Sequence, residues 1–244
     1  MRDKIAAHQR FYLSDAPGDS DRVRFSAEES RHMVASLRLA AGDEVSATDG
    51  AGHVFRVVVE EATRRRVAGR IVARAEERAP EPRISLFQGI IRPARMDALV
   101  EQAGELGITQ MVPVKCDRSL RGAGRERLAR WRRIAVDAMK QSLRAHLMDV
   151  GPVEEFGGAV RFAAGSDMTL VASGPGDGPL PIDRIRERRP ANLAVWVGPE
   201  GGFAEEEICA LVEAGATPFS LGPYRLRSET AALTTIAVLR ACLA

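Results

Sequence analysis

The chain has 244 residues, of which 45% are hydrophobic and 28% are charged, the ordinary composition of a globular protein with one large or two modest domains. No apolar run reaches the roughly 18–20 residues of a membrane helix and the N-terminal residues lack the apolar core of a signal peptide, so we expect a cytoplasmic protein without a membrane anchor. The three cysteines, Cys116, Cys209 and Cys242, are odd in number and widely spaced, which disfavours a disulfide framework or a metal site.

Basic residues are concentrated in one segment, although the formal net charge of the chain is only +2. Between Lys115 and Arg144 there are ten basic residues and three acidic ones, a local charge of +7. Such a segment favours a polyanionic partner, but a solvated, arginine-rich helix face explains the same pattern equally well.

The first part of the chain predicts a small β-barrel or sheet. Short β-rich runs at Val45–Thr48 and Val54–Val59 flank the turn Asp49–Gly52, which is typical of a hairpin. The run Val67–Ala73 supplies another strand.

One helical pattern lies between Ser26 and Leu39, where Ser26 is the expected N-cap and Glu29 completes a capping box. The segment that follows the predicted strands, residues 76–82, is polar and contains two prolines. We therefore place a domain boundary there.

From Arg83 onward, strands and helices alternate along the sequence. The predicted strands are Ile84–Ile91, Ile108–Val114, Thr169–Ala172, Leu193–Val197 and Pro218–Leu221. The predicted helices are Arg95–Leu106, Arg125–Leu147, a short helix after residue 178, a helix that ends at Ala214 and a final helix to Cys242. This alternation is typical of an α/β domain whose parallel sheet is covered on both faces.

Glycine-rich loops follow three successive predicted strands, at residues 173–178, 198–202 and 222–227. Because open α/β sheets bind ligands at the carboxyl ends of their strands, these loops predict one composite pocket. The residues of a phosphate-binding loop and the glycine spacing of a dinucleotide fingerprint are both absent. Glu200 and Glu205–Glu207 suit a cationic ligand such as S-adenosylmethionine, although at least two of the latter are explained as ordinary acids of a helix N-terminus.

Two late motifs carry a specific resemblance to a known family. They are Val197-Gly198-Pro199-Glu200-Gly201-Gly202-Phe203 and Leu221-Gly222-Pro223-Tyr224-Arg225-Leu226-Arg227-Ser228-Glu229-Thr230-Ala231. The chain resembles the ribosomal RNA small-subunit methyltransferase E family, which belongs to the SPOUT superfamily of knotted methyltransferases. Weaker matches fall in the expected order: Arg10-Phe11-Tyr12, His32, Leu37-Arg38, Gly42-Asp43, Glu105-Leu106-Gly107, Arg118-Ser119, Arg130-Trp131 and Gln141-Ser142-Leu143-Arg144.

The resemblance implies an N-terminal PUA-like β-barrel over residues 1–75, a linker over 76–83 and a C-terminal SPOUT α/β domain, with a parallel sheet and a trefoil knot, over 84–244. It implies a homodimer that methylates N3 of a uridine in the 16S rRNA of the small ribosomal subunit, with S-adenosyl-L-methionine as cofactor and no metal. The implied cofactor-binding residues are Leu170, Ala172, Gly198, Pro199, Glu200, Gly201, Gly202, Leu221, Gly222, Leu226, Arg227, Thr230 and Ala231.

The sequence departs from the family pattern at four positions. The family usually has lysine at Gln102, threonine at Gly104, glycine at Leu143 and proline at Met148. These departures concern contacts with RNA or within the dimer and leave the cofactor motifs intact.

Methylation at N3 requires removal of the proton that this nitrogen carries at neutral pH. Arg227 is expected to hold a base oxygen as negative charge develops, and Glu200 and Glu229 are the candidate general bases. Glu229 is also explained as a helix N-terminal carboxylate beside the cap Ser228.

Contacts with RNA phosphates are expected from six arginines: Arg10, Arg38, Arg118, Arg125, Arg132 and Arg144. Aromatic residues make up only 5% of the chain, so recognition is expected to depend on RNA shape in an assembled subunit. Two other functions stay open at this point. One is a SPOUT enzyme that acts elsewhere, such as on a ribose 2′-oxygen, and the other is an rRNA-binding assembly factor without activity.

Overall fold

The structure is a computed structural model that describes residues 9–119 and 125–243. The chain divides into two compact units, the first made of Met1–Ala79 with Val136–Leu147 and the second of Pro80–Ala135 with Met148–Ala244. Arg121, part of the basic segment, lies outside the described residues. Arg125 is described only as the first residue of a helix.

The first unit contains a five-stranded sheet in the order β1-β3-β4-β5-β2. Strand β1 pairs with β3 in parallel, and the remaining pairs are antiparallel. The strands are β1 (Arg10–Tyr12), β2 (Arg22–Arg24), β3 (Glu44–Thr48), β4 (His53–Thr63) and β5 (Arg66–Glu76), with helix α1 at Ala27–Ala35.

The strands of this sheet show why its residues form it. Along β4 buried side chains such as Phe55, Val57 and Val59 alternate with more exposed ones, the pattern of a sheet with one face on a core. The three predicted strands of this region are confirmed. Strands β1 and β2 were not predicted, because three residues are too few for a periodic pattern.

Of the two hydrogen bonds predicted for the capping box of helix α1, the structure has one and lacks the other. The Ser26 hydroxyl accepts a hydrogen bond from the Glu29 backbone N–H at 3.1 Å, as an N-cap should. The Glu29 carboxylate, however, accepts from Lys140 Nζ. The predicted capping box is therefore wrong in its second half, because a buried ammonium attracts this carboxylate more strongly than a backbone N–H does.

The second unit contains a seven-stranded, entirely parallel sheet in the order β12-β10-β11-β6-β7-β8, with β9 also paired to β7. Its strands are β6 (Arg83–Gly89), β7 (Gln110–Lys115), β8 (Asp149–Val150), β9 (Glu154–Glu155), β10 (Met168–Ala172), β11 (Asn192–Val197) and β12 (Thr217–Phe219). Its helices are α2 (Pro93–Glu105), α3 (Arg125–Gln141), α4 (Phe156–Ala163), α5 (Ile182–Arg188), α6 (Glu205–Glu213) and α7 (Ser228–Leu243). Helix α3 contributes its last residues to the first unit.

Aromatic packing supports the centre of this sheet. Trp196 of β11 stacks on Phe87 of β6, with ring centroids 4.5 Å apart, and Phe156 and Phe203 contact the edge or face of the same indole. Strand β11 is buried from Leu193 to Val197, as expected of a parallel strand covered on both faces. The predicted alternation and parallel sheet are confirmed.

Helix α3 ends at Gln141, so its predicted extension to Leu147 is wrong. Leu143 has a φ of 57°, a left-handed conformation that cannot continue a right-handed helix. The family resemblance implies glycine at this position, and glycine adopts such a φ without strain. Helix α4 and strands β8 and β9 were not predicted, and the trefoil knot stays a prediction. Among residues 9–119 and 125–243, no helix combines the length and apolar character needed to cross a bilayer.

The ion pair between Lys140 and Glu29 gives a stability prediction for the first unit, because the two side chains are only 14% and 9% exposed. Lys140→Met should lower the free energy of unfolding by roughly 3–5 kcal/mol, since it leaves a buried carboxylate without its cation. The matched control is Lys115→Met. The side chains of Lys115 and of its partner Glu155 are 60% and 75% exposed, so the free energy of unfolding should change by less than about 1 kcal/mol. Equal midpoints for the two variants in urea denaturation would contradict the prediction.

Candidate active site

The second unit has a cavity at the carboxyl edge of its sheet. Strands β12, β10 and β11 are neighbours and parallel, so the loops that follow them lie side by side. They enclose a cavity of about 370 Å³, within the range of small-molecule sites. Backbone and side chains of all three predicted loops line it, together with Arg118 from the segment after β7.

Most of the predicted cofactor residues come together at this cavity. Those that line it are Ala172, Gly198, Pro199, Glu200, Gly201, Gly202, Leu221, Leu226 and Ala231. Four others do not line it: Leu170 is fully buried within β10, whereas Gly222, Arg227 and Thr230 are exposed.

The loop after β11 rests directly on the backbone of β6. A Cβ atom built on Gly89 would lie 2.5 Å from the nitrogen of Pro199 and 2.6 Å from its Cδ, so only glycine fits. At the other end of this loop Gly202 has a φ of +73°, which again favours glycine. The two glycines allow the loop to fold back tightly beside the cavity.

Hydrogen bonds between buried polar groups hold the same loop in place. The fully buried Gln88 amide donates from Nε2 to the Ser228 hydroxyl at 2.8 Å and to the Gly89 carbonyl at 2.8 Å. The Ser228 hydroxyl in turn donates to the Gly198 carbonyl. The end of β6, the loop after β11 and the start of α7 are thereby joined by hydrogen bonds that water does not reach.

Glu207 joins two further segments around the cavity. Its Oε1 accepts from the Asp117 N–H and its Oε2 from the Ala204 N–H, each at 2.9 Å, and the residue is only 8% exposed. Arg118, next to Asp117, then donates through NH1 to the carbonyl of Gly201 at 3.2 Å. Glu207 is therefore a buried acid rather than a solvated one, and its carboxylate joins the segment after β7 to the loop after β11.

The two candidate bases lie near one arginine. Glu200 Oε1 accepts from the Arg92 N–H at 3.2 Å, at the N-terminus of α2, and lies 4.0 Å from Arg95 NH1. The same Arg95 atom lies 3.5 Å from Glu229 Oε1. Glu229 Oε2 is buried and has no hydrogen-bond partner among the residues that the structure describes, but Glu229 does not line the cavity, whereas Glu200 does. A cation between the two carboxylates reduces their mutual repulsion.

The arginines predicted to contact RNA lie in different environments. Arg10 pairs with Glu77 at 2.9 Å and its side chain is 12% exposed, while Arg38 is exposed. Burial lowers the pKa of Arg144, and the nearby Glu77 opposes that shift. Arg132 donates from Nε to the Val150 carbonyl at 3.0 Å, and Arg118 lines the cavity. Their role in RNA binding stays a prediction, as does that of Arg125, whose side chain lies outside the described residues.

Sequence reasoning missed the residues that hold the site together. Gln88, Ser228 and Arg95 were not proposed as site residues, and Glu207 was considered only as one of the acids that suit a cationic ligand. Gln88 had a usable signal, because an amide inside the predicted strand Ile84–Ile91 needs a buried partner. Five further cavity residues belong to the predicted loops but were not named as cofactor residues: Ser173, Gly174, Pro175, Tyr224 and Arg225. The other cavity residues outside those loops that were not predicted are Val197, Phe203, Ile208, Phe219 and Ser220. Within the described ranges, no group of three or more His, Cys, Asp or Glu is placed to hold a metal ion.

Comparisons with known proteins identify the family. A family profile described as RNA methyltransferase domain matches residues 78–240, and one described as RNA methyltransferase PUA domain matches residues 25–72. Ribosomal RNA small subunit methyltransferase E of Aquifex aeolicus is 31% identical over 191 residues, which cover 77% of this chain and 81% of the relative. The chain belongs to the ribosomal RNA small subunit methyltransferase E family.

Two further members of the methyltransferase E family cover almost the whole chain. The protein of Mycobacterium bovis is 28% identical over 235 residues, 93% of this chain and 88% of the relative. The crystal structure of the Neisseria gonorrhoeae enzyme bound to S-adenosyl methionine matches with a TM-score of 0.84 and 29% identity, over 96% of this chain and 97% of the other. The fold predicted from the methyltransferase E resemblance, a PUA domain followed by an α/β domain with a parallel sheet, is confirmed.

The contact between Gly89 and Pro199 makes the first prediction for the site. Gly89→Ala should displace the loop after β11 and lower the free energy of unfolding by roughly 1–3 kcal/mol, the usual cost of overpacking. Gly165→Ala is the matched control, because a Cβ there would meet nothing within 4 Å, and it should change stability by less than about 0.5 kcal/mol. Urea denaturation compares the two, and a Gly89→Ala variant as stable as the control would contradict the contact.

Cys116 makes the second prediction. Burial, assisted by the Glu207 carboxylate and opposed by a hydrogen bond with Ser119, raises its thiol pKa to about 12. At pH 8.5 iodoacetamide should therefore label the exposed Cys209 and leave Cys116 unmodified, as mass spectrometry of the folded protein would report. Equal labelling of both cysteines would show that Cys116 is accessible.

The Cys116 thiol also affects the pH dependence of stability. Because the folded state holds its proton more tightly, the contribution of this thiol to the free energy of unfolding is complete below about pH 9 and is lost towards pH 12.

Proposed function

We propose that this protein transfers a methyl group from S-adenosylmethionine to N3 of a uridine in the 16S rRNA of the small ribosomal subunit, the uridine at position 1498 in the usual numbering. The observation that carries the proposal is the cavity walled by the three loops after β10, β11 and β12. Membership of the methyltransferase E family supports the reaction and the class of substrate.

The residues around the cavity fit the cofactor. Leu221, Leu226 and Phe219 give it an apolar wall for an adenine ring, and the glycine loops bring backbone groups close to a ligand. Glu200 places negative charge at the same wall, which favours a cation and disfavours a phosphate. When bound, S-adenosylmethionine supplies an electrophilic methyl group on its sulfonium.

The target nitrogen must lose a proton before it can attack. Glu200 is the better placed base, because it lines the cavity and its Oε1 is fixed by the Arg92 N–H, which leaves Oε2 to accept the proton. Glu229 then has a supporting role through Arg95. Arg227, exposed on the loop before α7, is suited to hold a uracil oxygen as negative charge develops on the base.

The remaining parts of the proposal concern the surroundings of the reaction. Residues 1–75 are proposed as the RNA-binding PUA-like domain and residues 84–244 as the methyltransferase domain, with a linker between them. The protein is proposed to act in the cytoplasm as a homodimer with a trefoil knot, and the six arginines named above are proposed to contact rRNA phosphates. The proposed mechanism uses no metal.

The experiment that tests this function is incorporation of labelled methyl into small subunits that lack the modification, followed by nucleoside analysis. A single 3-methyluridine is the expected product. A methylated ribose would instead indicate a SPOUT enzyme that acts on another position. No incorporation by a folded protein that binds the subunit would indicate an assembly factor without activity.

The general base gives a separate prediction. Glu200→Gln should lower the single-turnover rate of methyl transfer by roughly 10²–10⁴-fold at neutral pH, because the amide cannot accept the proton. Its residual rate should rise with pH, since alkaline solution deprotonates the uridine directly. Glu229→Gln, which removes a charge near the same arginine, should have a much smaller effect. A larger loss in Glu229→Gln than in Glu200→Gln would reverse the assignment.

A further inference from the structure

Tyr224 is the most exposed large hydrophobic side chain of the described residues. It is 79% exposed, although it lines the cavity, and it belongs to the loop between β12 and α7. The only other exposed Phe, Tyr or Trp ring in residues 9–119 and 125–243 is Phe162, at 57%, and Phe162 does not line the cavity. A large aromatic ring that is open to water beside a ligand site is suited to contact a second ligand there.

The loop that presents Tyr224 is held at its start. Ser220 is 9% exposed, and its hydroxyl accepts from the Gly222 N–H at 3.3 Å and donates to the Gly222 carbonyl at 2.9 Å. Its backbone N–H donates to the Gly178 carbonyl at 2.7 Å, in the loop after β10. These hydrogen bonds join two of the cavity loops and hold the chain up to Gly222, two residues before Tyr224.

The charge around Tyr224 favours an anionic partner. Arg225 lines the cavity next to it, and Arg227 is exposed two residues further along. Between Gly222 and Ser228 the loop has no acidic residue. An exposed aromatic ring with flanking arginines is the usual means of binding an unpaired nucleotide, because the ring stacks on the base and the guanidinium groups contact phosphate.

The position of the target nitrogen in the uracil ring also favours contact with the face of the base. N3 lies on the edge of the uracil ring, so a protein that held the base by this edge would block the reaction. Stacking on the face of the ring leaves the edge free to point at the methyl group and at Glu200. We propose that Tyr224 stacks on the target uracil, displaced from its neighbours in the rRNA, and thereby turns its N3 edge into the cavity. This inference rests on the proposed function.

Methyl transfer to small subunits by Tyr224→Ala, Tyr224→Phe and Phe162→Ala tests the inference. Tyr224→Ala should lower kcat/KM by about 5- to 150-fold, the equivalent of the 1–3 kcal/mol that one stacked base contributes. Tyr224→Phe keeps the ring and should stay within about twofold of the wild type. Phe162→Ala removes an exposed ring away from the cavity and should leave kcat/KM unchanged.

Calorimetry with S-adenosylmethionine separates stacking on the base from contact with the cofactor. Tyr224→Ala should lose much less affinity for the cofactor than it loses in kcat/KM, and equal losses would overturn the inference. Reconstituted subunits with 5-iodouridine at the target position provide a direct readout, because light should crosslink this base to Tyr224, as peptide mapping would show.

A crosslink elsewhere, or unchanged kinetics in Tyr224→Ala with an active wild type, would overturn the stacking role and leave the proposed function intact. No transfer by the wild-type protein would overturn both.

Discussion

The site depends on one close approach between backbones, that of Pro199 to Gly89. Strand β6 is in the middle of the parallel sheet, and the loop after β11 crosses its carboxyl end at a distance that no side chain would allow. The contact positions one of the three loops that line the cavity. It sets the height of the loop above the sheet, and with it the positions of the Glu200 carboxylate and the backbone groups up to Gly202.

Buried polar side chains then hold the loops in place. Gln88 and Ser228 fix the start of the loop after β11, and Glu207 fixes its end against the segment that contains Arg118. Groups of this kind are costly to bury alone, and here their hydrogen bonds join segments that are distant in the sequence, although Gln88 Oε1 has no partner within the described ranges. The cavity walls are therefore organised by contacts within the protein, so a ligand does not have to order them at the expense of its own binding energy.

Much of this could be predicted from the sequence, and the reasons for the rest are physical. Glycine, proline and short apolar runs are local signals, so eight of the twelve described strands, the three loops and the Ser26 cap were found. The turn at Leu143 carries no such signal, because leucine rarely adopts a positive φ. The bonds from Gln88 to Ser228 and from Asp117 to Glu207 join residues 140 and 90 positions apart, and no local pattern reveals such pairings.

The glycine-rich construction of the cavity has a consequence for inhibition. Four of its lining residues, Gly174, Gly198, Gly201 and Gly202, are glycines and present only main-chain atoms to a ligand. If a compound binds to those amides and carbonyls, few single substitutions could weaken its binding without also disturbing the loops. A compound that depended on the exposed ring or guanidinium groups at the rim would lose affinity through one replacement. Durable inhibitors of this enzyme family would therefore be those that bind deep in the cavity.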